Sequence, residues 1–219
     1  MSPITFWFDP ISPYAYLAFE RLPQALEGCS YAVEYRPVLL AGLLKHWGQR
    51  GPVEIAPKRD WTYRQVQWLA HQQGSELALP AAHPFNPLPL LRLLVACGRD
   101  GRPNRWQCEA VLHHVWRGGA PADDPQRLAE LAARLAPPRD PQAAEVKEAL
   151  RCATDEAIAR GVFGVPTLEL PARAAGAAPQ CFWGLDALPM LRAALDGDPW
   201  FEGAPWQAPL PAGDAPGPR

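Results

Sequence analysis

Residues 4–14 read Ile-Thr-Phe-Trp-Phe-Asp-Pro-Ile-Ser-Pro-Tyr. The first five form a short apolar, β-prone run closed by Asp9-Pro10, the pattern of a buried strand. Ser12-Pro13 then opens a helix, because Ser is a good N-cap and Pro is favoured at the first helical position. Tyr16, Leu17, Leu22 and Leu26 continue at helical spacing, and Gly28 ends the helix. Residues 31–36 alternate as a second strand, closed by Pro37. A strand, helix and strand in such close succession predict two parallel strands joined by a right-handed crossover.

The middle of the chain changes character. Helical patterning runs through 61–74, 88–97, 105–116, 126–135 and 141–160, with little strand signal between them. The breaks carry turn chemistry: Leu79-Pro80, His83-Pro84-Phe85-Asn86-Pro87, Gly101-Arg102-Pro103-Asn104 and Pro137-Pro138. Strand patterning returns at 166–170 and 180–183, around a small-residue loop, which predicts a hairpin. A last helix over 185–195 stops at Asp196-Gly197. Beyond about 198 the chain is rich in Pro, Ala and Gly, as expected of an irregular arm and a disordered tail. The order βαβ, helical insertion, αββα predicts an α/β chain with an interrupted thioredoxin-like domain. Its expected parts are that domain (1–40 and 155–200), an all-helical insertion domain (41–154) and a C-terminal tail (201–219).

Composition narrows the function. The net charge is -2 with both signs scattered, so neither nucleic acid nor a membrane surface is an expected partner. Nine Trp and 48% hydrophobic residues argue for a packed core. The N-terminus lacks the basic start and apolar run of a signal peptide, and no stretch approaches the ~20 apolar residues of a spanning helix. A soluble, cytoplasmic protein is expected. The five cysteines are odd in number, widely spaced and without a C-x-x-C pair, against a disulfide framework or zinc site. They read as small apolar residues in or near a core.

Three segments invite chemistry. Ser12 places a hydroxyl at a helix N-terminus, where unpaired N–H groups and a partial positive charge favour an anion, including a thiolate. Taken alone, a Ser before a Pro is more often only a cap. Gly161-Val162-Phe163-Gly164-Val165-Pro166-Thr167 sets Pro166 before a strand, as a candidate cis bond or as an ordinary strand start. If the bond is cis, the carbonyl and N–H of Val165 become available to an extended peptide. Asp186, in Phe182-Trp183-Gly184-Leu185-Asp186, is either another cap or a carboxylate for an amino group. Trp7, Tyr14, Trp47, Trp61, Trp68 and Phe85 are aromatic pocket candidates by type, although aromatics more often lie in the core. His113-His114 shows neither i,i+4 spacing nor a nearby Glu, and His46, His71 and His83 stand alone, so no metal site is expected. Asp123-Asp124 reads as a turn or helix start and Gly118-Gly119 as a loop.

Together, Ser-Pro-Tyr after Asp9, the Gly-Val-Phe-Gly-Val-Pro-Thr run and Phe-Trp-Gly-Leu-Asp resemble the 2-hydroxychromene-2-carboxylate isomerase family. That family is kin to kappa-class glutathione transferases in the DsbA-like thioredoxin superfamily. Arg36-Pro37-Val38-Leu39-Leu40, Ala56-Pro57-Lys58-Arg59 and Pro84-Phe85-Asn86-Pro87-Leu88 followed by Arg92 add to the likeness, which spans about 4–196. The resemblance implies glutathione as cofactor, a small aromatic carboxylate as substrate and a homodimer. It implies that Ser12 donates to the glutathione sulfur and that Val165, before Pro166, pairs with the glutathione cysteine backbone. It further implies that Asp186 and the Leu185 N–H hold the γ-glutamyl end, and that Lys58 meets a glutathione carboxylate. Gln49 stands where the family has Asn, Trp61 where Tyr is usual, and Ala187 where Arg is frequent. Tyr14, Trp61, Phe85, Asn86 and Arg92 are the implied substrate pocket. Glutathione transfer or peroxide reduction at the same site, a non-catalytic binding module and a disulfide oxidoreductase are the rival readings. The last lacks its cysteines, since Ser12 and Ala15 occupy those positions.

Overall fold

A computed structural model describes residues 1–172, 178–203 and 206. The tip of the expected hairpin loop and most of the expected tail lie outside the described residues. Four strands form one mixed sheet in the order β2-β1-β3-β4. They are β1 (Ser2–Phe8), β2 (Tyr31–Pro37), β3 (Thr167–Leu170) and β4 (Gln180–Trp183). β1 and β2 pair in parallel, with Phe6 opposite Tyr35, as the βαβ reading requires. β3 runs antiparallel to both β1 and β4.

The sheet is covered on both faces, which is why β1 reads as an unbroken apolar run rather than an alternation. Ile4, Phe6 and Phe8 lie in one core cluster with Leu168 and Phe182 of the sheet, and with Ala15, Tyr16 and Phe19 of α1 (Pro13–Ala25). α8 (Leu188–Leu195) joins this cluster through Leu188 and Leu191. Trp7 points the other way, into a cluster with Val38, Ala153, Ala157 and Val165 that includes α7 (Ala144–Ala159). Trp7 is therefore core: its Nε1–H donates to the buried Glu169 carboxylate at 3.0 Å.

Between β2 and β3 lie α2 (Leu40–His46), α3 (Ala56–Gln73), α4 (Leu88–Cys97), α5 (Arg105–Trp116), α6 (Pro125–Leu135) and α7. Their buried residues Val66, Leu90, Val111, Trp116 and Leu131 belong to the same cluster as Phe6 and Phe19. Helices α3 to α6 thus pack with one face of the sheet, while α2, through Leu43, and α7 lie on the other.

The structure corrects several boundaries. α2 and a 3-10 turn at Pro52–Glu54 occupy a stretch without a helical expectation. α3 starts at Ala56 rather than 61, because Pro57 is accommodated within its first turn. The last helix begins as a 3-10 turn, Leu185–Ala187, before α8. Asp124 caps α6 through Oδ1 to the Arg127 N–H. The arm after 198 is anchored rather than irregular where it is described: Phe201 is buried, and Trp206 stacks on Phe182 at 5.8 Å. Two cysteines, Cys97 and Cys108, are buried, whereas Cys152 is exposed beside Glu148.

Candidate functional site

The site begins where β1 ends. Asp9 is fully buried, and its carboxylate bridges two turns: Oδ1 accepts from Ile11 N at 3.0 Å and Oδ2 from Leu40 N at 2.9 Å. Its backbone carbonyl accepts from Ser12 N at 3.0 Å. Burial pushes the Asp9 carboxyl up to about 7, against the two N–H donors that pull it down.

Ser12 is the N-cap of α1, as its extended backbone and its bond from Ala15 N to Oγ show. Its hydroxyl donates to Val165 O at 3.3 Å, across 153 residues of sequence. Capping and approach to the second segment are thus properties of one side chain. Val165-Pro166 is cis. The Val165 N–H has no hydrogen-bond partner among the described residues. Pro166 O accepts from Gly184 N at 2.9 Å, which ties this turn to the one bearing Asp186. Gly184 adopts φ +98, and a Cβ there would lie 2.4 Å from Asp186 Oδ1. The glycine therefore makes room for the exposed Asp186 carboxylate, which folds back over the turn.

α3 closes the third side. Tyr14 OH donates to Gln65 Oε1 at 2.6 Å. Burial raises the Tyr14 phenol above its ordinary value; the buried Thr62 hydroxyl draws it down, and the Asp186 charge raises it again. Ser12, Val165, Asp186, Tyr14, Thr62 and Gln65 are thus linked by contacts or by charge. Lys58 lies one turn before Thr62, and Trp61 one turn before Gln65, on neighbouring stripes of α3. Both Lys58 and Trp61 are exposed. Gln49, also exposed, follows α2, and its backbone N–H bonds to Leu44 O.

The other expected pocket residues make contacts of their own. Phe85 is buried in the main core beside His83. Asn86 Oδ1 accepts from Leu88 N at the start of α4, and Arg92 reaches Gln142. Trp68 is exposed on α3, and Trp47 Nε1–H donates to Val162 O, one turn before the cis bond.

His83 is not isolated: its ring bonds to Ile11 O at 2.8 Å and Tyr63 OH at 2.9 Å. Nor does His113 lack a glutamate. Glu109 lies one helical turn before it, and Glu20 of α1 meets its Nε2 at 2.9 Å. Arg117 also pairs with that Glu20 at 3.1 Å. Sequence reasoning passed over Thr62, Gln65, Tyr63 and His83. Only the helical spacing from Lys58 could have pointed to the first two.

The model of the DsbA-like thioredoxin domain matches residues 3–196. The chain belongs to the DsbA-like thioredoxin family. Within it, this DsbA-like chain is 29% identical over 203 residues to a 2-hydroxychromene-2-carboxylate isomerase of Sphingobium xenophagum, covering 88% of this chain and 97% of the relative. It is 28% identical over 201 residues to glutathione S-transferase kappa 2 of Caenorhabditis elegans, covering 86% and 89%. A solved structure of a 2-hydroxychromene-2-carboxylate isomerase superposes with a TM-score of 0.72 at 25% identity, covering 89% of this DsbA-like chain and 94% of that one. The resemblance read from the motifs is borne out. Among the described residues, no helix is long and apolar enough to cross a membrane.

Proposed function

We propose that this chain is a glutathione-dependent cis-trans isomerase acting on aromatic catabolites of the 2-hydroxychromene-2-carboxylate type. The observation that carries the reading is the meeting of the Ser12 hydroxyl, at the N-terminus of α1, with the Val165-Pro166 turn. The residues suit glutathione. Val165 offers to its peptide backbone an N–H unpartnered among the described residues, Asp186 an exposed carboxylate to its α-amino group, and Lys58 an ammonium to a carboxylate.

Bound glutathione supplies a thiolate that adds reversibly to an electron-poor conjugated carbon, so that a double bond becomes single, rotates and reforms on elimination. The protein's part is electrostatic. Ser12 turns its hydroxyl from Val165 O, a long bond at 3.3 Å, toward the sulfur. With the helix end it holds the thiol as thiolate at neutral pH, below the ordinary ~8.5. Tyr14, braced by Gln65, and Trp61 border the side on which a flat substrate stacks.

A disulfide oxidoreductase is disfavoured, because such chemistry needs an activated thiol. Burial pushes Cys97 and Cys181 up to about 11, and Cys108 well above its ordinary value. Glutathione transfer uses the same anion site and differs in releasing the adduct; the kappa-class relative keeps that reading in play. We also assign the chain to the cytoplasm and to a homodimer, which sedimentation would check. The deciding experiment follows the ring-opened and cyclic forms of a hydroxychromene carboxylate by absorbance. Isomerisation should require catalytic glutathione, leave its concentration unchanged, and fall at least ~100-fold in Ser12→Ala. Stoichiometric consumption of glutathione would favour the transferase, and turnover without glutathione would refute both.

A further inference from the structure

The turn that presents Ser12 is held from the helical segment. Trp116 Nε1–H, at the end of α5, donates to Pro10 O at 2.9 Å. His83, in the loop between α3 and α4, bonds through Nε2 to Ile11 O at 2.8 Å. A carbonyl can only accept, so Nε2 carries the proton. Nδ1 is then the acceptor in the neutral ring; Tyr63 OH of α3 lies 2.9 Å from it and 3.1 Å from His83 O, so its one proton is shared between the ring nitrogen and that carbonyl. The imidazole is packed against the rings of Tyr63, Phe85 and Trp116. We propose that His83 is a positioning residue for Ser12: its Nε2–H fixes the carbonyl of Ile11, and Tyr63 fixes the tautomer that makes this bond possible.

Several features support the assignment. Burial draws the imidazole pKa down from its ordinary value, against the bond to Ile11 O that raises it, which favours the neutral ring. The titratable group facing the ring is Tyr63, itself near Arg59 and Asp60 on α3. From α5 and from its own loop the rings of Trp116 and Phe85 face the imidazole, and beyond Ile11 lies the buried Asp9. The bond is one residue from Ser12, so a turn free to rotate at Ile11 would misplace the hydroxyl relative to Val165 O. The catalytic consequence rests on the glutathione reading; the positioning itself does not.

The test uses the full chain and two readouts. Imidazole 15N shifts should show the Nε2–H tautomer in the wild type and a mixture in Tyr63→Phe. His83→Phe keeps the aromatic packing and removes the donor. It should speed amide exchange at Ser12 and Ala15 roughly tenfold, the size of one lost hydrogen bond, with remote helices such as α6 unchanged. His83→Gln, whose Nε2 can replace the ring donor, should restore protection. If glutathione binds, the bound thiol should ionise less readily in the Phe variant and recover in the Gln variant. An Nδ1–H tautomer in the wild type, or unchanged exchange in His83→Phe, would overturn the proposal whether or not glutathione binds. Absence of glutathione binding with the exchange pattern intact would refute the cofactor reading alone.

Discussion

At the scale of single residues, Ser12 and Asp9 stand three positions apart and face opposite demands. Ser12 caps a helix and offers a proton; Ser12→Ala should cost about 1 kcal/mol in chemical denaturation as a lost cap. Asp9 is a buried acid whose folded pKa, about 7, lies above its ordinary 3.8. A raised pKa means that the protonated form is favoured by folding. The stability it contributes is full below about 3.8 and is lost as pH rises through about 7. Between pH 6 and 8.5 the wild type should lose on the order of 1 kcal/mol from this group. Denaturation curves at the two pH values should show a smaller loss in Asp9→Asn, and an equal loss would locate the titration elsewhere. Ser12 was legible in the sequence because a Ser-Pro after a strand states its own geometry. Its partner Val165 was not, since 153 residues separate them and only the family likeness joined them.

At the scale of elements, the site is three turns brought to one place: the start of α1, the turn before β3 and the turn before α8. Strands and helices carried strong local signals, so βαβ, the late hairpin and the middle helices could be read from periodicity. α2 could not, being a seven-residue helix without a side-chain cap. The aromatic pocket was read poorly for a physical reason. Residue type distinguishes neither Trp7, which faces α7 inside the core, nor Phe85, packed under His83, from an exposed Trp61. Gly184 gives an element-level prediction. At φ +98 an alanine is strained by about 1–2 kcal/mol, and its Cβ would displace the Asp186 carboxylate. Gly184→Ala should lower Tm modestly and weaken glutathione binding about tenfold, whereas γ-glutamyl-free cysteinylglycine should bind equally to both proteins. Calorimetric titration with the two ligands would show this difference.

At the scale of the whole molecule, the helical segment is a brace for the site as well as a cover for it. α3 supplies Thr62 and Gln65 to Tyr14, while the loop after it and α5 hold the backbone at Pro10 and Ile11. Trp116→Phe keeps most of the buried surface but loses the bond to Pro10 O. It should destabilise the fold by about 1–3 kcal/mol and slow turnover by more than the lost stability explains. Comparing Tm with kcat would separate the two effects. All of this serves one claim, that the protein acidifies the thiol of glutathione at Ser12. The direct measurement is a calorimetric titration with glutathione, alongside thiolate absorbance near ~240 nm across pH, in wild type and Ser12→Ala. The account predicts that the wild type binds and lowers the thiol pKa from ~8.5 toward neutrality, and that Ser12→Ala loses most of that shift. No binding, or a bound thiol that titrates as it does in water, would contradict it and leave a binding module on a DsbA-like fold.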